Sequence, residues 1–342
     1  MKLNNVTSSL IITLLVIVTL VFGKSIIVPF VVALLIWFVV KKMRNLIDKI
    51  GFVHKYIPMW VKTLTASFSI FALLFFIGEL LTKNIENISI SYEDYASNVG
   101  IITEKLNRLL GINLNEEAIK FLQDFEFTSY LESFFNSISE LLGSMVMIIF
   151  YTMFLFIEET LFQRKISMIF NENGKKDGFQ STLKKIDKSL SSYISLKSLI
   201  ALMTSTLSYF ILLGVGIDSP VFWAFLIFMF NFIPSVGPIL GTIMPALFSL
   251  LQFGQFTPFL IILISLGIVA VLIGSFVEPR LMGNTLNISP LVAILSLAIW
   301  GAIWGIIGML LSVPITVTMI IIFSQFKGTR NIAILLSEKG KV

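Results

Sequence analysis

The 342 residues are 56% hydrophobic and 13% charged, with a mean hydropathy of +0.93, which excludes an ordinary soluble domain and predicts an integral membrane protein. The net charge of +5 comes from basic residues beside apolar runs, where it sets membrane orientation and does not indicate nucleic-acid binding. With no cysteine and a single histidine, the sequence excludes disulfides, thiolate nucleophiles and cysteine or multi-histidine metal sites.

The N-terminal region, residues 1–82, predicts a hairpin and a third membrane span. Apolar runs at 10–22 and 26–40 are separated by a three-residue break and therefore predict two antiparallel helices. The basic segment 41–55 follows, and the positive-inside rule places it in the cytoplasm. Residues 60–81 form the predicted third span.

Residues 83–140 predict an external helical insert, because they carry ten acidic and four basic residues and an amphipathic pattern at 131–142. A fourth span at 143–157 and a lysine-rich segment make up residues 141–198 and return the chain to the cytoplasm. The apolar stripe within 183–194 runs beside lysines and predicts an amphipathic helix. That helix either lies on the inner membrane surface or packs against the protein's own helices.

Residues 199–326 predict a transport core with two broken hairpins. A fifth span at 199–215 is followed by apolar arms at 221–232 and 239–253, with a polar break between them. Each arm is about 20 Å long as a helix, which is short of the roughly 30 Å hydrocarbon core. The arms therefore predict a re-entrant hairpin or two tilted half-helices, with hinge and tip residues Pro234, Gly237 and Pro238.

A second polar break separates the apolar runs 259–276 and 291–323. Three residues disfavour a continuous helix through this break, namely Pro279, Gly283 and Pro290. The run 291–323 would be about 50 Å long as one helix, so we expect a break at Gly301, Gly305, Gly308 or Pro314. The basic tail 327–342 is then cytoplasmic, like the N-terminus.

Together these patterns predict an all-α, multi-pass integral membrane protein with about eight transmembrane helices. Two re-entrant or broken-helix hairpins lie in its C-terminal half, and residues 83–140 form an external amphipathic-helical insert. No H-E-x-x-H, G-x-S-x-G or P-loop motif is present, so we expect no catalytic residues, no cofactor and no metal.

The candidate transport residues lie in the two polar breaks. A small polar solute needs neutral donors and acceptors, which are supplied by Asn231, Ser235, Asn284, Thr285, Asn287 and Ser289. Glu278 and Arg280 are the only charged residues between Asp218 and Lys327. Arg280 is expected to hold an anionic or borate-bearing solute, with Glu278 as its counter-charge. Alternatively, Glu278 cycles a proton, or the two form a structural ion pair in an interfacial loop.

Three segments carry a resemblance to a known family. Residues 231–241 read NFIPSVGPILG, residues 277–290 read VEPRLMGNTLNISP, and residues 300–314 read WGAIWGIIGMLLSVP. These segments resemble signatures of the autoinducer-2 exporter family of bacterial membrane proteins. Where that family often has tyrosine before Val-Gly-Pro, this chain has Ser235, so an aromatic group is missing from the tip.

The resemblance implies an all-helical fold of roughly eight spans in the bacterial plasma membrane. It also implies a homo-pentamer, an elevator-like motion, and export of autoinducer-2, a small hydroxyl-rich signalling molecule of quorum sensing. Other relatives are described as sodium/proton antiporters, so sodium (or lithium) and proton coupling stay open.

Two other functions compete with export. A cation/proton antiporter needs a buried carboxylate, for which Glu278 and Glu79 are the candidates. A non-transporting membrane scaffold would instead bind partners through its external and basic helices and would not need Glu278.

Overall fold

The computed structural model describes residues 3–49, 55–90, 98, 100–102, 105, 140, 143–171, 176–283, 287–326 and 328–340. Every regular element within these ranges is helical, which confirms the predicted all-α class for this part of the chain. In chain order the helices are α1 (Leu3–Phe22), α2 (Lys24–Ile47), α3 (Met59–Ile90), α4 (Met145–Asn171), α5 (Lys176–Val215), α6 (Pro220–Phe230), α7 (Val236–Phe253), α8 (Phe256–Leu272), α9 (Glu278–Met282), α10 (Pro290–Gln325) and α11 (Arg330–Leu336). A π-helical turn, Ile273–Val277, joins α8 to α9.

Among the residues that the structure describes, six helical segments are long and apolar enough to cross a membrane. They are Lys24–Ile47, Met59–Leu80, Ser181–Val215, Val236–Phe253, Phe256–Met282 and Pro290–Gln325. Large apolar side chains on these segments are exposed, with Phe68 at 77% and Phe210 at 62% of full accessibility. Lipid is the solvent that such a surface requires, so the chain is a multi-pass membrane protein. The predicted count of about eight spans stays a prediction.

The chain forms two compact units. The first unit contains Met1–Ile70, Asn136–Ser192 and Asn287–Val342, and the second contains Phe71–Phe135 and Tyr193–Leu286. Two of the four boundaries between these units fall inside α3 and α5, so each of these helices contributes to both units, and the predicted sequence segments stay a prediction.

In the first unit, α10 is bent at Gly305, where φ is 64° and ψ is −143°. This conformation is accessible essentially only to glycine. Gly308 lies directly against the carbonyl oxygen of Trp300, and Gly301 lies against Met309, so the two arms of α10 fold together. The expected break therefore occurs at Gly305, whereas the helix continues through Pro314.

The bend of α10 packs against the N-terminal hairpin. Val28, Trp304, Ile307 and Leu311 form a buried cluster, and Trp304 Nε1 donates a hydrogen bond of 3.0 Å to the carbonyl oxygen of Leu20. Leu20 is close to the end of α1, so the tip of the α10 hairpin lies at the level of the α1–α2 turn.

In the second unit, α6 and α7 form a helical hairpin. Gly237 lies against the carbonyl oxygen of Phe230, and a Cβ on Gly241 would lie 3.4 Å from Ile227 Cγ1. The approach requires glycine at position 237, where a Cβ would overlap the Phe230 carbonyl, whereas a Cβ at position 241 would make ordinary van der Waals contact. Trp223 and Phe248 fill the core of this unit, with ring centroids 5.0 Å apart.

Two residues of the predicted insert hold the end of α7. Asn98 Nδ2 donates hydrogen bonds of 2.8 and 3.1 Å to the carbonyl oxygens of Leu251 and Gln252, and Lys105 Nζ donates one of 2.8 Å to that of Gly254. The last carbonyls of a helix have no partner within it, so these contacts satisfy groups that would otherwise need water. The amphipathic pattern at 131–142 lies outside the described residues, apart from Glu140.

Candidate functional site

A partly buried ion pair lies inside the second unit. Lys197 on α5 donates from Nζ to Oε1 of Glu278 at the start of α9. The Lys197 side chain is 9% exposed and that of Glu278 is 27% exposed. Ionisable groups within spanning helices are costly to bury and therefore mark functional positions by default. The partner expected for Glu278 was Arg280, but the structure assigns Lys197 to that role.

The backbone around Glu278 explains its position. The π-helical turn at Ile273–Val277 carries α8 into α9, so Pro279 falls in the first turn of α9, where its missing N–H is tolerated. The expected break therefore does not occur at Pro279. The helix ends at Gly283, whose φ is 49° and whose N–H donates to the carbonyl of Pro279 at 2.9 Å. Single π-helical turns within α-helices are frequent at functional sites.

Tyr193 joins the ion pair from the preceding turn of α5. It is 3% exposed and interacts electrostatically with Glu278. The same helix carries buried hydroxyl side chains further along, and Thr204 Oγ1 donates to the carbonyl of Ile200 at 2.9 Å. The carboxylate and the ammonium meet in an apolar unit with a buried phenol one helical turn from Lys197, and these groups can donate to and accept from hydroxyl groups of a solute.

Sequence reasoning missed Lys197 and Tyr193. Lys197 was counted with the basic cytoplasmic segment, and Tyr193 with an apolar stripe. The signal in the sequence was the spacing of polar groups at positions 193, 197, 204 and 208, which places them on one face of α5.

The tip of the α6–α7 hairpin uses its polar residues locally. Asn231 is buried and donates from Nδ2 to the carbonyl of Ile227 at 3.0 Å, which satisfies the end of α6. Ser235 is exposed, with φ of 61°, and precedes α7. Pro234 lies in the turn between the arms, and the carbonyl of Pro238 accepts a hydrogen bond of 2.8 Å from Thr242 Oγ1.

The remaining candidates are distributed differently from the prediction. Arg280 is exposed and makes no ion pair with any described carboxylate. Asn287 and Ser289 belong to the first unit, where Asn287 Oδ1 accepts from the Lys339 N–H at 3.3 Å. The Ser289 N–H donates to the carbonyl of Leu336 at 3.2 Å, and Pro290 begins α10. The structure therefore uses these groups to dock the C-terminal segment. Asn284 and Thr285 lie outside the described residues.

Glu79, the other candidate for a buried carboxylate, is at the surface. Its side chain is 53% exposed and pairs with Lys83 at 2.8 Å, one turn along α3. The hydrogen bond from Lys83 to Glu79, together with the negative charge of Glu79, raises the pKa of Lys83 above its ordinary value. An exposed pair of this kind is typical of a solvated helix end. In the part of the chain that the structure describes, no three metal-ligating side chains come together.

Comparison with known proteins adds independent information. The model of the family described as "AI-2E family transporter" matches residues 10–328. The AI-2 transport protein TqsA of Escherichia coli K12 is 26% identical over 324 residues, which cover 94% of this chain and 92% of TqsA.

Two further relatives carry the name "Putative transport protein". One, from Borreliella burgdorferi, is 31% identical over 220 residues, which cover 63% of this chain and 60% of that protein. The other, YhhT of Escherichia coli K12, is 38% identical over 149 residues, or 44% of this chain and 42% of YhhT. The family match extends over nearly the whole chain and includes the motifs at 231–241 and 277–290. The protein belongs to the AI-2E family of transporters.

Proposed function

We propose that this protein exports a small, hydroxyl-rich signalling molecule similar to autoinducer-2 across the bacterial plasma membrane. The observation that carries the proposal is the Lys197–Glu278 pair, in which a buried ammonium meets a partly buried carboxylate in a unit of apolar helices. A protein that only anchors partners has no need to retain charges at that position. The likeness to TqsA, which is named as an AI-2 transport protein, supports the same substrate class.

The ion pair suits a neutral polyol. The carboxylate of Glu278 accepts hydrogen bonds from solute hydroxyls, while Lys197 and Tyr193 donate. The two charges compensate each other, so the site has no net charge. The second unit can therefore carry the site through apolar surroundings. This property agrees with an elevator-like motion, in which the binding site moves with its unit.

The other polar candidates are proposed to assist the solute along its path. Asn231, Ser235, Asn284 and Thr285 supply neutral groups, and Arg280 is free of described acids and can bind an anionic or borate-bearing form. Asn287 and Ser289 hold the C-terminal segment of the first unit and are proposed to act there. The hinge and tip role is assigned to Pro234, Gly237, Pro238, Pro279, Gly283 and Pro290.

The proposed topology has both termini in the cytoplasm, the insert at 83–140 outside, and the α6–α7 and α10 hairpins as re-entrant elements. The basic residues of 41–55 and 158–198 support this orientation. A homo-pentamer is proposed from the family resemblance.

Autoinducer-2 efflux from cells or into everted vesicles tests the proposal. We expect Glu278→Gln and Lys197→Met to reduce transport about tenfold or more, because each leaves the other charge buried and uncompensated. Glu79→Gln and Lys83→Met are matched controls, since they alter the same residue types in an exposed pair. Normal efflux by both Glu278→Gln and Lys197→Met, with correctly assembled protein, would contradict the proposed role of the pair.

A sodium (or lithium)/proton antiporter is the second candidate, because Glu278 is a partly buried carboxylate within a spanning segment. Everted vesicles distinguish the two functions. Sodium-dependent pH changes that disappear in Glu278→Gln would establish the antiporter, whereas an exporter of a neutral polyol shows none.

A further inference from the structure

Two ion pairs, one partly exposed and one largely buried, gather three helices at one end of the first unit. Lys41 Nζ lies 3.0 Å from Asp187 Oδ1 and joins α2 to α5. Arg44 contacts Glu159 at 3.2 Å through Nη2 and joins α2 to α4. The Arg44 side chain is 9% exposed, so this contact lies in the interior of the unit. The end of α2 and the start of α5 are therefore fixed side by side.

A second set of cations surrounds these pairs but is not compensated. Lys184, Lys185 and Lys188 are exposed on α5 and form no ion pair with any described acid. Asp187 lies among them, but its carboxylate is paired with Lys41. Lys184 and Lys188 are four residues apart on a helix, a spacing at which like charges repel. The protein thus retains a repulsive surface that an anionic ligand would relieve.

Aromatic side chains indicate the depth of this surface. Tyr56 and Trp60 are 63% and 66% exposed at the start of α3, and Lys55 Nζ lies 5.5 Å from the centre of the Tyr56 ring. Exposed Tyr and Trp at a helix end are typical of the membrane–water interface. Lys62 pairs with Asp48 and so ties the start of α3 to the end of α2. Because the end of α2 also lies beside the start of α5, the exposed lysines of α5 are near the lipid headgroups.

We propose that the first unit binds anionic phospholipid headgroups at a basic rim formed by Lys42, Lys49, Lys184, Lys185 and Lys188. All five side chains are exposed, and no described acid compensates them. Each lysine close to an anionic membrane surface strengthens the interaction roughly fivefold. The five lysines of the rim belong to the first unit and none of them is part of the Lys197–Glu278 pair, so the inference is independent of the transported solute.

Native mass spectrometry of the full-length protein with added phosphatidylglycerol or phosphatidylcholine tests the rim. We expect wild type to retain phosphatidylglycerol preferentially, and higher ionic strength to weaken the preference through screening. A triple variant, K184Q/K185Q/K188Q, should lose at least about tenfold in phosphatidylglycerol binding. Glutamine keeps the helix propensity of lysine, so folding should be preserved.

A matched control removes three exposed lysines that each have an acidic partner, in the variant K24Q/K83Q/K165Q. Their partners are Glu140, Glu79 and Glu158. This control should keep the preference. Equal binding of the two lipids by wild type would overturn the proposal, as would equal losses in both triple variants. Thermal unfolding provides a second readout, because phosphatidylglycerol should raise the Tm of wild type and of the control but not of K184Q/K185Q/K188Q.

Discussion

Glu158 and Glu159 are neighbours on α4 with opposite environments. The Glu159 carboxylate meets the Arg44 guanidinium at 3.2 and 3.4 Å, and its side chain is 16% exposed. The Glu158 carboxylate pairs with Lys165 at the surface, where it is 44% exposed. The two residues are identical in type and differ only in the direction in which the helix presents them.

This difference predicts unequal effects of the same substitution. We expect Glu159→Gln to reduce the free energy of unfolding by about 3 kcal/mol, because it leaves the buried Arg44 charge without a counter-charge. Glu158→Gln removes only an exposed pair and should cost less than about 1 kcal/mol. Thermal unfolding in detergent, followed by circular dichroism, compares the two variants. Equal shifts in Tm would show that the Arg44–Glu159 contact does not stabilise the fold.

At the scale of elements, close backbone contacts at glycine determine how tightly the two arms of a helical hairpin can pack. A Cβ added to Gly237 would overlap the carbonyl oxygen of Phe230, and a Cβ added to Gly308 would overlap the carbonyl oxygen of Trp300. Both hairpins therefore close on a glycine that lies after the turn. At Gly274, in contrast, an added Cβ would have no neighbour within 4 Å.

The closure of the α6–α7 hairpin gives a test by substitution. We expect Gly237→Ala to destabilise the protein by about 2 kcal/mol or more, since its methyl group would overlap the Phe230 carbonyl. Gly274→Ala should leave stability unchanged or slightly higher, because that site has space. Hydrogen exchange measured over Val236–Phe253 should be faster only in Gly237→Ala. Wild-type exchange in that variant would mean that the arms are not closely packed.

At the scale of the whole molecule, many large apolar side chains of the described spans are exposed. This surface indicates a protein that crosses the membrane several times, and the basic segments predict which side is cytoplasmic. The sidedness is accessible to experiment, because the chain has no cysteine that would need to be removed first.

Single cysteines test the orientation with a membrane-impermeant maleimide. We expect Ser25→Cys, in the first turn of α2, to react in intact cells. Lys49→Cys, after α2, and Lys339→Cys, near the C-terminus, should react only in everted vesicles. All three positions are exposed in the structure. Reaction of Ser25→Cys and Lys49→Cys from the same side would contradict the proposed topology.

Local patterns were sufficient to predict the helical class, the membrane location and the family. Long apolar runs specify spanning helices regardless of their neighbours, and the motifs at 231–241 and 277–290 carry the family resemblance in their order of residues. Glycine and proline also indicated where the last run breaks, and the structure places that break at Gly305. Continuation of α8 through Pro279 was not predictable, since it depends on the π-helical turn before it.

The sequence by itself therefore determined that the described chain is helical and that it belongs in a membrane. Only the tertiary structure decided which charges meet, because Lys197 and Glu278 are 81 residues apart and no local pattern links them. The structure also places Asn231 and Glu278 in the second compact unit and Asn287 and Ser289 in the first. In the sequence, all four residues had formed one set of candidates. The hydrophobic pattern of a helix reflects only its own neighbouring turns, whereas an ion pair between helices depends on how helices far apart in the sequence pack together.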